Sequence, residues 1–471
     1  MLKKKELFIF LLLSIIFILL ALPYISLSGS CIIDDEGILA YQTYLTCLGY
    51  KPYKEFLYIN LPLPLYIYAP LIKISGTHFF IIRLFNLIFV VITAFFILSI
   101  SKLYLSFRLS IVFPLLFFFT SSLFFYHIHF LHDSLGWIFA VSSFYFILRN
   151  SLPFFSGILI GCALLTKQTT LPLIFLSLLL SLSSIKKLPK LFAGTFFILL
   201  FSTIIWGDIP LILGYFSRFQ YSFSTILGNL KLLFKNLFAS SIILYTITFI
   251  FISIPLIKNK NTRKVFTVLI LFSCFFIFSI AKAETIFSCR HFFFLIFYFF
   301  FFLTLYLKIK PSHYRVILYL IIFFMALQIP YFINYYQSKE YFTLRDKKIS
   351  EFILSTTTSS DFILTDYSRF SFLTKRPTPP SLTDLSYGIS HHVEINADFI
   401  IKKLKKFNIP LVIIQTEGPT ALHLKNIPDF PKLQKYLREN YFYYGNLTNG
   451  REVFEIYLKN SRILFNSSSL K

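Results

Sequence analysis

The sequence predicts a mostly α-helical, polytopic membrane bundle that carries a small α/β domain at its C-terminal end. Three observations lead there. Hydrophobic residues fill 56% of the 471 positions and charged residues only 14%, with 63 phenylalanines and a mean hydropathy of +0.72. A soluble domain carries about 25% charged residues and has no way to cover so much apolar surface. The apolar residues are gathered into runs long enough to cross a bilayer. From about residue 337 onward charges become frequent and the runs shorten to strand length. A soluble enzyme, a disordered chain and a disulfide-stapled secreted module are thereby excluded.

Residues 7–28 follow Lys3-Lys4-Lys5 and read as an uncleaved first span rather than a signal peptide. The run is about 20 residues long and no small-residue cleavage site closes it. Further spans read at 79–100, 109–126, 134–149, 153–166, 170–185, 191–206, 238–257, 265–280, 291–307 and 314–334. The total is about eleven. With the N-terminus inside, Lys102/Arg108, Arg149, Lys186/Lys187/Lys190, Lys258/Lys260/Arg263/Lys264 and Lys308/Lys310/Arg315 all fall on the cytoplasmic side. That is the arrangement the positive-inside rule favours, and the odd count sends the C-terminus outside. It accounts for the net charge of +24 without a nucleic-acid partner. The runs 153–166 and 170–185 are short for a hydrocarbon layer of about 30 Å, so they read as a hairpin with a recess at its Thr166–Thr170 tip.

The chain thus divides into a transmembrane domain, 1–336, and an extracytoplasmic α/β domain, 337–471. In the latter, Arg345–Leu354, Ala397–Phe407 and Pro431–Asn440 read as helices. Phe362–Thr365, Leu411–Gln415, Tyr441–Gly445 and Val453–Leu458 read as strands. Cys31, Cys47, Cys162, Cys274 and Cys289 have no metal-ligand spacing; a Cys31–Cys47 bridge is conceivable only in an oxidising compartment.

The acids are sparse and placed on one side. The first 336 residues hold eight carboxylates, Glu6, Asp34, Asp35, Glu36, Glu55, Asp133, Asp208 and Glu284, and the layout puts all but Glu6 outside. Carboxylates next to a membrane are costly and tend to serve function. Three in succession repel one another, which raises the pKa of at least one and suits it to act as a base. A merely solvated acidic loop is the competing account.

The sequence after the triplet weighs against that account. Asp35-Glu36-Gly37 leads into an amphipathic helix, then Gly49-Tyr50-Lys51-Pro52-Tyr53-Lys54-Glu55-Phe56, Tyr58 and Leu61-Pro62-Leu63-Pro64-Leu65-Tyr66. This order resembles the GT-C glycosyltransferases that use polyprenyl-phosphate sugars, the branch of protein O-mannosyltransferases, aminoarabinose transferases and RgtA-like enzymes. Gly76, Arg83 and Asn86 continue the likeness, as do Gly157, Gly161 and Leu164-Leu165-Thr166-Lys167-Gln168-Thr169. Asp133 stands where the family often has an acid, and Arg290-His291 resembles its Arg-Tyr, with histidine in place of tyrosine.

The resemblance implies transfer of a sugar from a polyprenyl-phosphate donor to a glycan, lipid or protein acceptor at the outer face of a bacterial plasma membrane. It implies Asp35 as the base, with Glu36 and Asp34 positioning groups around it. Lys167, Arg290 and Lys51 are the candidates for the lipid phosphate, whose departure needs cations; snorkelling to headgroups is the alternative for the first two. Asp133, Tyr53, Glu55, Tyr58 and His291 are candidates for positioning substrate, although interfacial packing explains most tyrosines. The reaction requires no cofactor. A divalent metal is conceivable because His129, His132 and Asp133 share a face if 127–133 is helical, but the spacing fits no strict ligand motif. His391-His392 reads as a surface pair. The rival readings are an O-antigen polymerase or ligase, which places its large outer loop between spans, a transporter or flippase, which shows two related halves, and an inactive scaffold.

Overall fold

The computed structural model describes residues 2–25, 34–206, 301–319 and 346–459, with short breaks at 59, 120–123, 125–126, 168–169, 182–185, 302, 309–310, 316–318, 386–394, 419–422 and 450–451. In chain order the first half contains α1 (Lys4–Ile25), α2 (Asp34–Cys47), α3 (Leu63–Ser75), α4 (Phe79–Lys102), α5 (Phe107–Ser110), α6 (Val112–Phe119), α7 (Asp133–Leu148), α8 (Pro153–Leu164), α9 (Leu171–Ser181) and α10 (Leu188–Trp206). Among the described residues three helices, α1, α4 and α10, are long and apolar enough to cross a membrane.

They coincide with the expected spans at 7–28, 79–100 and 191–206. The expected span 109–126 is broken into α5 and α6. The runs expected at 134–149, 153–166 and 170–185 are the shorter helices α7, α8 and α9. The expected spans 238–257 and 265–280 lie outside the described residues, as does most of 291–307 and 314–334. Helix α3 was legible only as a proline-rich stretch. Pro64 sits in its first turn, where a missing N–H costs nothing, so the prolines start the helix rather than break it.

The phenylalanines form a ring-on-ring core between α1, α4, α6 and α7. Phe17 stacks on Phe118 with centroids 4.4 Å apart, meets Phe124 edge-on at 5.9 Å, and shares this core with the fully buried Trp137. Offset and edge-on ring pairs each add about 0.5–1.5 kcal/mol beyond their area. Helices α8 and α10 approach more closely than side chains permit. A Cβ built on Gly157 would stand 1.9 Å from the Leu191 carbonyl oxygen, and one on Gly194 would stand 2.1 Å from that of Phe154. The hydroxyl of Thr195 donates across this seam to the Gly157 carbonyl at 3.0 Å. Close backbone approach of this kind is how apolar helices bind each other where water supplies no driving force.

Charge is sorted by end. Glu6 of α1 pairs with Lys102 of α4 at 2.5 Å, Lys308 lies over the Tyr104 ring, and Lys187 donates to the Asn150 carbonyl at 2.7 Å. Asp35, Glu36, Asp133 and Lys167 belong to the opposite end, where α2 begins, α7 begins and the α8–α9 turn lies.

The C-terminal part folds as expected, in the order α11 (Lys347–Thr356), β1 (Ile363–Thr365), α12 (Ser368–Thr374), α13 (Ala397–Lys406), β2 (Leu411–Glu417), α14 (Phe430–Asn440), β3 (Tyr441–Asn449) and β4 (Glu452–Lys459). The sheet order is β1-β2-β4-β3, with β1 and β2 parallel and the other pairs antiparallel. Strand β2 is covered on both faces, which is why it reads as a continuous apolar run. Val412 and Ile414 meet Ile400, Leu404, Leu433 and Leu437 of α13 and α14. Leu411 and Ile413 meet Ile349 and Ile353 of α11 and Phe370 of α12.

Helix α12 was not foreseen, since seven residues without a capping side chain give no periodic signal. It is the element that seats this domain on the bundle. Phe372 packs on Phe79 at 4.9 Å and on Tyr44 at 6.4 Å. Nearby, the Thr378 amide donates to the Tyr41 hydroxyl at 2.8 Å, and the Thr383 hydroxyl donates to the Leu57 carbonyl at 3.1 Å.

The α8–α10 seam leaves no room for a methyl group. Gly157→Ala is therefore expected to lower stability by about 1–3 kcal/mol, read as a drop in the thermal midpoint of the detergent-solubilised protein, whereas Gly49→Ala, where a Cβ meets nothing within 4 Å, loses only what its positive φ costs.

Candidate active site

The Asp35-Glu36-Gly37 sequence lies in the first turn of α2, where the unpaired amides of a helix N-terminus favour negative charge. Its three residues face three different neighbours. Glu36 is fully buried: Arg83 Nε donates to Oε1 at 2.7 Å and Nη2 to Oε2 at 2.6 Å, and the Phe130 amide donates to Oε1 at 2.8 Å. Burial alone pushes a carboxyl upward, but the Arg83 guanidinium outweighs it and holds Glu36 below the ordinary 4.5. The carboxylate is therefore ionised and committed to its partner.

Arg83 projects from the first turns of α4, and Asn86 follows it on the same face. The Asn86 amide donates to the carbonyls of His127 and His129, at 3.0 and 2.7 Å, and accepts from the Tyr68 hydroxyl at 3.2 Å. Side chains of α4 and α2 thus satisfy the backbone groups of the segment before α7. For that reason 127–133 is not a continuous helix. The chain bends at His129, where the Leu131 amide donates back to the His129 carbonyl at 3.0 Å, and α7 starts only at Asp133. The shared helical face expected for His129, His132 and Asp133 does not form, and no group of three His, Cys, Asp or Glu among the described residues is placed to hold a metal. His132 instead lies parallel to the Tyr68 ring at 6.2 Å, with Nδ1 3.4 Å from the Tyr58 hydroxyl.

Asp133 is reached by the α8–α9 turn. Its Oδ2 lies 3.4 Å from Lys167 Nζ, and both side chains are buried. Gly136 allows this approach, because a Cβ there would stand 2.8 Å from Thr170 Cγ2. The turn is held on its other side by the Leu63 amide, which donates to the Leu165 carbonyl at 3.1 Å. Lys167 is consequently an interior cation and does not snorkel.

Gly37 meets the C-terminal domain. A Cβ at this position would stand 2.5 Å from Arg369 Cβ and 3.1 Å from its Cα, so only glycine lets α12 rest here. Arg369 is itself fully buried, 2.9 Å from Asp346 and 3.2 Å from Glu452, with its guanidinium 4.2 Å above the Tyr367 ring. Asp35, two residues before Gly37, is half-buried, and its charge acts on His423 of the same domain.

The remaining sequence candidates are placed as follows. Asp34 opens α2, but its side chain lies outside the described residues, as do Arg290, His291 and His391-His392. Lys51 and Glu55 are exposed and close their own turn, the Lys51 amide donating to Glu55 Oε2 at 2.6 Å. Tyr53 has φ +67° and donates its hydroxyl to the Asn60 carbonyl at 2.6 Å; Tyr58 is buried and donates to the Leu61 carbonyl. Cys47 is a free thiol. The structure therefore brings together Glu36, Tyr58, His132, Asp133 and Lys167 around the 127–133 segment, and leaves Lys51 and Glu55 at the surface. The roles of Arg83 and Asn86 were discoverable in principle, as polar side chains inside an apolar run. Nothing local to Arg369 or His423 announced them.

No family model matches the sequence, and no curated protein matches it. Solved structures do. The crystal structure of ArnT from Cupriavidus metallidurans bound to undecaprenyl phosphate aligns over 97% of this chain and 98% of its own, with a TM-score of 0.60 and 11% identity. The oligosaccharyltransferase of Archaeoglobus fulgidus aligns at 0.52 in its apo form, over 94% of this chain and 74% of its own, at 12% identity. Its complex with zinc and sulfate aligns at 0.50, over 93% and 72%, at 12% identity. The chain has the GT-C fold. Within that fold it is similar to ArnT along nearly the whole length of both chains.

Removing one partner of a buried ion pair strands the other, at a cost of about 3–5 kcal/mol. Glu36→Gln and Arg83→Met are each expected to show a loss of that order in thermal or denaturant unfolding, and the double variant less than their sum. Because the folded pKa of Glu36 lies below its unfolded value, its contribution is present above the ordinary carboxylate range and fades only as pH falls below about 4; a wild-type stability profile flat from pH 5 to 7 in this respect, and falling below, is the expected signature.

Proposed function

We propose that this protein is an integral membrane glycosyltransferase that moves a sugar from a polyprenyl-phosphate donor to a hydroxyl acceptor at the outer face of a bacterial plasma membrane. Residues 1–336 form its catalytic part and 337–471 the extracytoplasmic domain above it. The observation that carries this reading is the presence of a half-buried carboxylate, Asp35, and an interior cation, Lys167, at the same end of a GT-C bundle, Glu36 beside the first accepting from the Phe130 amide and Asp133 facing the second. ArnT, bound to undecaprenyl phosphate, shares that fold from end to end.

In this reading the acceptor oxygen attacks the anomeric carbon while Asp35 takes its proton. The bond from that carbon to the phosphate oxygen breaks, and its electron pair leaves with the prenyl phosphate. Lys167 lies in a buried setting where a cation stabilises developing phosphate charge far better than in water. Arg290 is the second candidate for that task. Asp133 holds Lys167 in place, and Glu36, locked by Arg83, fixes the turn that presents Asp35. A single displacement with no protein nucleophile inverts the anomeric configuration. Asp35, Glu36, Asp133 and Lys167 lie at one end of the bundle rather than along its middle, which favours transfer chemistry over a flippase pathway.

Asp35→Asn is expected to reduce transfer of radiolabel from polyprenyl-phosphate sugars by at least about 100-fold, the range of a lost general base, with prenyl-phosphate binding and protein level unchanged. Equal activity in both proteins would remove Asp35 from the mechanism. The product of the wild-type enzyme is expected to carry the inverted anomer, which proton NMR of its anomeric coupling reads directly.

A further inference from the structure

A cavity of about 250 Å³ lies at the end of the bundle away from Asp35 and Lys167, where α7 and α9 end and α8 and α10 begin. Its lining is mixed: Phe146, Leu148 and Leu191 are apolar, whereas Asn150, Ser151 and Lys187 are polar. The surroundings are firmly held, because the Leu191 carbonyl also meets Gly157 in the close α8–α10 seam. Lys187 is half-buried, and its ammonium donates to the carbonyl and side-chain oxygens of Asn150 at 2.7 and 2.5 Å. These bonds tie the α9–α10 turn to the α7–α8 turn across the cavity.

The charge of that ammonium is oriented without being cancelled. Both of its acceptors are neutral, and an ammonium has three N–H groups to give. The sequence contains no Asp or Glu between Asp133 and Asp208, and Asp133 opens α7 at the opposite end. Arg149, Lys186 and Lys190 are exposed on the same two turns and the start of α10. A lysine that serves only to orient helices across a membrane needs no recess, since any position on a turn carries its charge equally well. We propose that this cavity holds the headgroup of an anionic phospholipid, its phosphodiester accepting from Lys187 and its acyl chains lying along α8 and α10.

The chemistry of the site selects this class. Basic pockets between transmembrane helices take anionic headgroups, and a zwitterionic headgroup brings a cation of its own towards four basic side chains. Ligand clefts hold about 300–1,000 Å³, so a cavity of about 250 Å³ admits a headgroup and leaves the chains outside. Next in the chain to lining residues, Phe154, Phe155 and Phe192 are exposed on α8 and α10. Acyl chains cover such rings, and a free phosphate does not. The site lies at the other end of α7 from Asp133, so it goes beyond the glycosyl-transfer reading and does not depend on it.

The test uses the full-length protein, delipidated in detergent, and reads bound lipid by native mass spectrometry during titration with dioleoyl phosphatidylglycerol. Wild type is expected to take up one molecule about tenfold or more tightly than it takes up dioleoyl phosphatidylcholine. Ser151→Trp fills the cavity and keeps every charge; Lys187→Ala removes the cation and keeps the space. Each is expected to weaken binding about tenfold or more, the loss of a hydrogen bond to a charged group. Lys186→Ala and Lys190→Ala remove the same charge outside the lining and are expected to weaken it no more than about fivefold, the share of one basic residue near an anionic surface. Equal losses in all three lysine variants overturn the site in favour of a diffuse basic surface. Equal binding of phosphatidylcholine overturns the anionic class. Because Lys187→Ala also breaks the tie to Asn150, a lowered thermal midpoint in that variant leaves the decision to Ser151→Trp, whose unchanged affinity overturns the proposal. Displacement of the lipid by glycerol 3-phosphate at equal concentration marks a free-phosphate site, and displacement by decaprenyl phosphate at lower concentration marks a prenyl-phosphate site; either overturns the phospholipid assignment.

Discussion

The Glu36–Arg83 pair is the interaction on which one whole end of the bundle depends. An ionised carboxylate has no place in a buried site unless a cation and further donors surround it. Here the guanidinium supplies two hydrogen bonds and the Phe130 amide a third. The geometry that satisfies Glu36 simultaneously fixes three separate pieces of chain: the start of α2, the first turns of α4 and the non-helical segment before α7. Asn86 extends the arrangement by holding the carbonyls of His127 and His129. What looks like a pair is therefore a joint, and Asp35 on one side and Asp133 with Lys167 on the other inherit their positions from it.

The joint also explains why Asp35 and Glu36, adjacent and chemically alike, are so different in environment. Glu36 is sealed and committed to Arg83. Asp35 is half-buried, and its charge acts on the C-terminal domain. One carboxylate anchors, which leaves the other half-buried with a fixed backbone beneath it. Gly37 completes the division by allowing α12 to sit directly on the helix. The order acid, acid, glycine is thus a sequence of three structural tasks at successive angles around one helical turn.

Much of this was legible in the sequence, for reasons that differ between elements. The long apolar runs of α1, α4 and α10 and the alternating signals of the C-terminal domain follow from local periodicity, and β2 from its continuous burial. Helix α12 was not legible, because seven residues carry too little pattern, and its position depends on Gly37, more than three hundred residues earlier. The helical reading of 127–133 failed because it assumed that the backbone of that segment would satisfy itself. Asn86 and Glu36 satisfy it instead, and nothing in 127–133 reveals that. Lys167 was legible as a charge in an apolar hairpin, but its partner Asp133 became visible only when α7 and α8 were packed. Arg369 and His423 lie among ordinary soluble-domain residues, so the sequence around them gave no reason to connect them with an acidic turn near the N-terminus.

That distance along the chain has a consequence for how the protein is made. The turn that carries Asp35 is made more than three hundred residues before Arg369, Thr378 and Thr383, which seat the C-terminal domain against α2 and the segment after it. The carboxylate turn is therefore synthesised long before the surface that covers it. A chain halted between the two would hold that turn and its Glu36–Arg83 joint without the surface that covers them.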